Sequence, residues 1–578
     1  MEKQFNYDGK AFVVTCGDGV GVEMRPLSVE DGVFYYEICF RWEKECFPDQ
    51  ISLEWEIPAV NAYYLWDALD KRRDFAFYNR ATQSRVASGI PLKALVSKKS
   101  ENACTVALSD VETPLSVFTR ADCTDGTAHI GVDFFTMQTG PFSNYRAVLR
   151  IDERNVHFTQ AVTSAAEWLK NGIKRDFPVP ESAAKPMYST WYSYMQNVTA
   201  EKVLEECREA VKYGMKTVIV DDGWQIEKSD GAYGSCGDWE PAPSKFPDMK
   251  DFTFRLHEMG MKVMLWYAVP FIGVNAKIYP EFEGKYLYDL PDHKCSVLDP
   301  RYPEVRRYLT DTYVNAVKKW GLDGLKLDFI DRFKTNGTVL DGMDYCSVES
   351  AVTALLKQIS VALHEVNPDI MIEFRQPYFG TVIGTYGNMM RVWDCPLDGA
   401  TNKTQSVNLR LVSGDCAVHS DMIYWHDAES PENVACQLWG TMFSVPQISA
   451  RMNSLSEEQA LALGRYLSYW SENARLLLTE NVNANLCENG YDRVETSDGN
   501  KRVCLLSAAT DVEVGNEKTL EVVNMTDSDR LFVNNPSAEK LCVTALDCMG
   551  NATFKEETND RLFAVPTAFC GMLCITKR

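Results

Sequence analysis

From about residue 186 to residue 478, short apolar runs alternate with longer amphipathic ones, and few folds can absorb that rhythm. Thr199 precedes a helical pattern over 200–213 that Gly214 ends, and the apolar run 217–220 follows. The pattern repeats with a helix over 252–259, Gly260 and the run 262–266. It repeats again with a helix over 304–320, Gly321 and the run 324–329, and with a helix over 348–366, Asn367-Pro368 and the run 370–374. Runs at 188–192, 390–393, 422–425 and 445–448 bring the strand candidates to eight, over roughly 290 residues. Eight such units predict an α/β fold, a (β/α)8 TIM barrel. An open doubly wound sheet is the runner-up, but no G-x-G-x-x-G follows a strand to support it.

The flanks read as β. Runs such as 34–40 and 148–151, punctuated by Cys16-Gly17-Asp18-Gly19, predict an N-terminal β-sandwich over 1–182. The barrel is expected over 183–480. Runs at 502–506, 520–523 and 562–565 predict a small antiparallel C-terminal β-domain over 481–578. With 59 Lys and Arg against 81 Asp and Glu, the formal charge is −22. That balance argues against a nucleic-acid partner, and the longest basic run is Lys71-Arg72-Arg73. No stretch of about 18 apolar residues spans a bilayer, and the polar start Met1-Glu2-Lys3-Gln4 lacks a signal-peptide core. The 18 scattered Cys form no C-x-x-C. Together these features predict a cytoplasmic protein with free thiols. Seven dispersed His give no convergent metal set, so neither a metal nor a cofactor is expected.

In a barrel, chemistry gathers where the strands end. The second strand ends in Asp221-Asp222-Gly223-Trp224, two adjacent carboxylates suited either to gripping neighbouring hydroxyls or to a turn. In the fourth, Lys326 and Asp328 share a face, flanked by outward Leu325 and Leu327. A cation beside a buried carboxylate keeps it ionised, as a nucleophile requires, although a plain ion pair reads the same way. Asp331 is a weaker rival to Asp328. The sixth strand gathers Arg391, Trp393, Asp394 and Asp398, with Asp394 the first choice for a second carboxyl and Asp398 the next. Trp191, Tyr192 and Trp266 offer flat apolar walls. Glu373 pairs by spacing with Arg375, and His419 shares a face with Asp421. Two carboxyls across a mouth walled by aromatics suit glycoside hydrolysis.

Asp221-Asp222-Gly223-Trp224, then Gly237-Asp238-Trp239 followed by Lys245-Phe246-Pro247, then Lys326-Leu327-Asp328, in this order on a barrel, resemble the α-galactosidases of glycoside hydrolase family 36. The three-part layout matches too. The resemblance implies a retaining exo-α-galactosidase that acts on an oligosaccharide or glycoconjugate, and it allows a homo-oligomer. It implies Asp328 as nucleophile, Asp394 as acid/base with a raised pKa, and Lys326, Asp221 and Asp222 on the sugar hydroxyls. It further implies Arg391, Asp238 and Trp239 at the substrate, Trp191, Tyr192 and Trp266 as pocket aromatics, and Trp66 as an aromatic lent by the N-terminal domain. Where many members carry Cys-x-Gly-Gly-Gly after the fifth strand, this chain has Phe374-Arg375-Gln376-Pro377-Tyr378, beside the sugar's 2-position. The same scaffold also suits an α-N-acetylgalactosaminidase, an α-glucosidase or a raffinose-synthase-type galactosyltransferase. A non-catalytic sugar-binding barrel is the reading outside enzymes.

Overall fold

The structure of the chain, a computed structural model, describes all residues except 70–73, 76–79, 123, 230, 335 and 336; at 74, 75, 80, 121 and 122 only the backbone is described. The basic run Lys71-Arg72-Arg73 therefore lies outside the described residues.

Eight parallel strands form the central sheet: β1 (Met187–Ser189), β2 (Thr217–Val220), β3 (Lys262–Ala268), β4 (Gly324–Asp328), β5 (Met371–Arg375), β6 (Met389–Arg391), β7 (Ala417–His419) and β8 (Gln447–Ile448). Their order is β7-β6-β5-β4-β3-β2-β1-β8, and a parallel bridge from His419 to Val445 brings the two ends together. This is the expected α/β barrel. Several strand ends shift by a residue or two, and two differences from the sequence reading are larger. The first strand stops at Ser189, and Trp191 and Tyr192 instead open a short helix, Trp191–Tyr194. The seventh strand is Ala417–His419, not the apolar run 422–425. In that run Ile423 makes an isolated bridge to Ile448, so its apolar character serves the rim and not the ladder.

Local chemistry explains the helices between strands. Thr199 accepts from the Lys202 amide and caps helix Ala200–Ala210. Gly321, at φ +72°, ends helix Pro303–Trp320 just before β4. Ser456 and Gln459 form a reciprocal capping box on helix Glu457–Thr479.

Antiparallel sheets flank the barrel. At the N-terminal side a six-stranded and a seven-stranded sheet enclose a core that includes Phe12, Tyr36, Phe40 and Trp55. At the C-terminal side most of the pairing is antiparallel, but strand Lys501–Leu506 runs parallel to Thr519–Asn524. The barrel core is not sealed from its flanks. It continues through Tyr64 and Trp66 on one side and through Tyr491 and Val503 on the other. No helix among the described residues is long and apolar enough to cross a membrane.

Candidate active site

Asp328 is the last residue of β4 and is buried. Its two oxygens are held unequally. Oδ1 accepts from Arg375 Nε at 2.9 Å, from the Tyr378 hydroxyl at 2.6 Å and from the Phe329 amide at 2.7 Å. Oδ2 accepts from Trp266 Nε1 at 3.0 Å and stands 4.0 Å from Lys326 Nζ. Burial opposes the charge on Asp328, but Arg375 and then Lys326 outweigh it, and the carboxyl is held below its ordinary value.

Spacing pairs Lys326 with Asp328, yet Lys326 Nζ bonds Asp221 Oδ2 at 2.6 Å, across the barrel interior. The cation in direct contact with Asp328 is Arg375. Glu373 and Arg375 likewise do not pair with each other. Glu373 accepts from Gln447 and lies 3.5 Å from Arg391.

Asp222 is also buried. Its oxygens accept from Gln196 and from Gln225, both at 2.8 Å. Burial pushes its carboxyl up to about 6, against the pull of those two bonds. Gly223, at φ +119°, makes this approach possible, since a Cβ there would stand 2.6 Å from the Gln196 Cα. Asp221 is anchored by its own amide, which donates to Thr190 Oγ1 at 2.9 Å.

Arg391 is fully buried among three carboxylates. Nη1 contacts Asp421, Nη2 bonds Asp394 at 2.9 Å, and Nε faces Glu373. It thus orients carboxyls and offers the mouth little of its own. The Asp394 side chain is 44% exposed at the mouth. The raised pKa expected of Asp394 is not what this setting gives. Burial pushes it up, but Arg391, Arg375 and Lys326 pull harder and hold it well below the ordinary value. The fields of Arg375 and Lys326 reach both Asp328 and Asp394, and the charge on Asp394 acts on Asp328, so the two carboxyls share one electrostatic cup. Asp398 is instead the N-cap of helix Gly399–Val412, with both oxygens bonded to Thr401. Asp331, just past β4, is pushed up by burial.

Tyr192 donates its hydroxyl to Asp421 at 3.0 Å, and half-buried Trp191 precedes it on the same turn. Trp239 packs edge-on behind Trp266 at 6.0 Å, as a backing layer. Asp238 lies outside the cup, because its oxygens accept the amides of Lys277 and Ile278 and fix a loop. Trp66 is fully buried, and its Nε1 bonds the Tyr491 hydroxyl at 3.0 Å, so it joins domains and does not line the pocket. His419 is buried, bonds the Ala183 carbonyl and is pushed down to about 3 by burial, a neutral core residue. The sequence reading missed Tyr378, Gln196 and Gln225. For Tyr378 the signal is the unusual stretch after the fifth strand.

The Melibiase family model matches residues 167–373. That stretch holds Asp221, Asp222, Lys326 and Asp328 and ends before Arg375, Tyr378 and Asp394. Alpha-galactosidase 2 of Pediococcus pentosaceus is 31% identical over 147 residues, 24% of this chain and 20% of the relative. Alpha-galactosidase Mel36A of Lactobacillus acidophilus is 28% identical over 151 residues, 25% and 20% respectively. The chain thus aligns with about a fifth of these relatives' length. The fold likeness runs further. The GH36 α-galactosidase AgaA of Geobacillus stearothermophilus superposes with a TM-score of 0.67 over 98% of this chain and 83% of its own, at 15% identity. TtGalA, an α-galactosidase of Thermus thermophilus, gives 0.56 over 86% and 98%, at 14% identity. The family model thus reaches into the barrel's fifth strand, and the likeness in fold to these α-galactosidase structures runs along most of the chain.

Proposed function

We propose that the protein is a retaining exo-α-galactosidase acting on oligosaccharides or glycoconjugates. The observation that carries this reading is the asymmetric hold on Asp328. Three donors fix Oδ1, while Oδ2 has one donor and keeps a lone pair for the anomeric carbon. Asp328 attacks that carbon of a terminal α-linked galactose, and a covalent β-galactosyl-aspartate forms. Asp221, Asp222 and Lys326 hold the sugar hydroxyls. Asp394 gives its proton to the departing oxygen and later takes one from water.

Arg391 keeps Asp394 ionised in the free protein, so the acid must gain its proton as substrate arrives. A sugar in the cup strips water from Asp394 beside the charge of Asp328, and both effects favour the protonated form. Once Asp328 is esterified its charge is gone, and Asp394 returns to the carboxylate that activates water. Asp398 is committed to its helix cap, which supports Asp394 for this role. The 17 described cysteines are free, which supports a reducing compartment such as the cytoplasm.

The test is Asp328→Ala. Turnover of 4-nitrophenyl α-galactoside is expected to vanish, and azide to restore part of it with a β-galactosyl azide as product. Full activity in the variant refutes the assignment. A panel of nitrophenyl α-glycosides tests the sugar.

A further inference from the structure

Phe329 leaves β4 directly after Asp328 at φ +65°, in the left-handed region. That angle is uncommon for a residue with a bulky side chain, and turns that need it select Gly, Asn or Asp. Phe329 opens the short turn Ile330–Arg332 without a side-chain cap bond, so capping gives no reason for a Phe there. Its ring is half-buried and serves the core only in part. Strained backbone of this kind persists where its surroundings hold it, and it gathers at functional sites.

Those surroundings are the groups that hold Asp328. The Phe329 amide donates to Asp328 Oδ1 at 2.7 Å. The Phe329 ring lies edge-on to Trp266, whose indole donates to Oδ2, with ring centroids 6.3 Å apart. The Arg375 guanidinium, which donates to Oδ1, lies over the Phe329 ring at 5.4 Å and over the Tyr378 ring at 5.4 Å. The Tyr378 hydroxyl is the remaining donor to Oδ1. Each donor is therefore Phe329 itself, a neighbour of its ring, or a neighbour of the cation on that ring. The ring is fixed in turn by Phe271, stacked at 4.7 Å, and by Tyr233, edge-on at 5.3 Å. Tyr233 is itself tied by its amide to the His293 carbonyl at 3.0 Å.

We infer that Phe329 is a positioning residue for Asp328: its amide fixes Oδ1 and its ring holds Arg375 on the same oxygen, so that Oδ2 is the oxygen presented to the anomeric carbon. The inference rests on the glycosidase reading above and deepens it. Arg375 is a long side chain with several rotatable bonds. A cation over an aromatic face is held by the ring's quadrupole, and the hold strengthens where water is excluded. Without the ring the guanidinium gains freedom, and the carboxylate it binds can turn about its Cβ–Cγ bond and misdirect the attacking oxygen. The loss falls on the attack and not on the hold of the sugar hydroxyls, which the reading gives to Asp221, Asp222 and Lys326.

Full-length variants test this with 4-nitrophenyl α-galactoside. Phe329→Leu keeps the amide and an apolar side chain but removes the π face, and Phe329→Tyr keeps the ring. In Phe329→Leu kcat is expected to fall about tenfold with KM within about twofold of the parent, and in Phe329→Tyr kcat is expected to stay within about twofold. In an Arg375→Met background, where the ring has no cation to hold, Phe329→Leu is expected to lower kcat less than about twofold further. Thermal melts confirm folding. Should Phe329→Leu fail to fold, Phe329→Gly takes its place, because glycine accepts the left-handed angle. Should Arg375→Met be inactive, the first pair of variants decides alone. An unchanged kcat in folded Phe329→Leu overturns the inference. So does a loss confined to KM, a fall that Phe329→Tyr shares, or a fall of equal size in both backgrounds. A parent that cleaves no α-galactoside overturns the glycosidase reading, and the role of Phe329 with it.

Discussion

Replacing Arg391 by Met leaves three carboxylates without their shared cation, and the cost depends on pH in a direction the structure fixes. Arg391, Glu373 and Asp421 are all fully buried. Removing one partner of such a buried cluster costs about 3–5 kcal/mol. The same figure follows from protons. Burial already pushes Asp421 up to about 6, and Glu373 above its ordinary value. Loss of Arg391 raises both further. A group whose folded pKa lies above its unfolded one contributes stability below the unfolded value and loses it as pH rises through the folded value. Asp394 is held low by Arg391, so its favourable contribution, present above its ordinary value of 3.8, also shrinks in the variant. All three changes have one sign. Each extra proton bound by the folded variant gives about 1.4 kcal/mol per pH unit, so one proton over two to three units gives about 3–4 kcal/mol. The destabilisation is therefore expected to be small in acid and to grow toward neutral pH. Denaturant midpoints of parent and variant across that range measure it. A penalty independent of pH refutes the reasoning and reduces Arg391 to a packing residue.

Three further substitutions separate neighbouring roles. Asp222→Asn places an NH2 group against either the Gln196 or the Gln225 amide, both donors, and KM for a galactoside is expected to rise about tenfold per 1.4 kcal/mol lost while kcat changes less. Trp66→Phe removes the bond to Tyr491 and is expected to lower stability by about 1–3 kcal/mol with unchanged kcat and KM, whereas a raised KM would return Trp66 to the pocket. Asp238→Ala frees two backbone amides and is expected to lower thermal stability and leave KM for the aryl galactoside as it was, and a large rise in KM would place Asp238 on the substrate.

The barrel was legible because its signals are local. The β4 run ends in Asp328, and helix stops such as Gly321 are marked by a single residue. Alternation along β4 put Lys326 and Asp328 on one face, and both do face the interior. Alternation cannot say which partner each takes. Lys326 reaches Asp221 just past β2, two strands away, and Asp328 takes Arg375 from the end of β5. The same blindness misplaced Trp66 and Asp238, whose partners are far away in the chain or are backbone amides that carry no residue signature. The low pKa of Asp394 was hidden for a related reason. The raised value came with the resemblance, while the deciding Arg391, three residues earlier, is turned inward on the strand.

The contact between Trp66 and Tyr491 has one more consequence. The Tyr491 hydroxyl, which accepts from the indole, donates in turn to Asn408 on helix Gly399–Val412, at 2.7 Å. Residues from the N-terminal sheets, a barrel helix and the C-terminal sheet thus meet at one buried knot against a continuous apolar core. The molecule offers proteases no seam there. Trimming either end to isolate the central cylinder would uncover apolar surface and strand the knot's polar atoms, so the piece left behind would aggregate before it could be assayed.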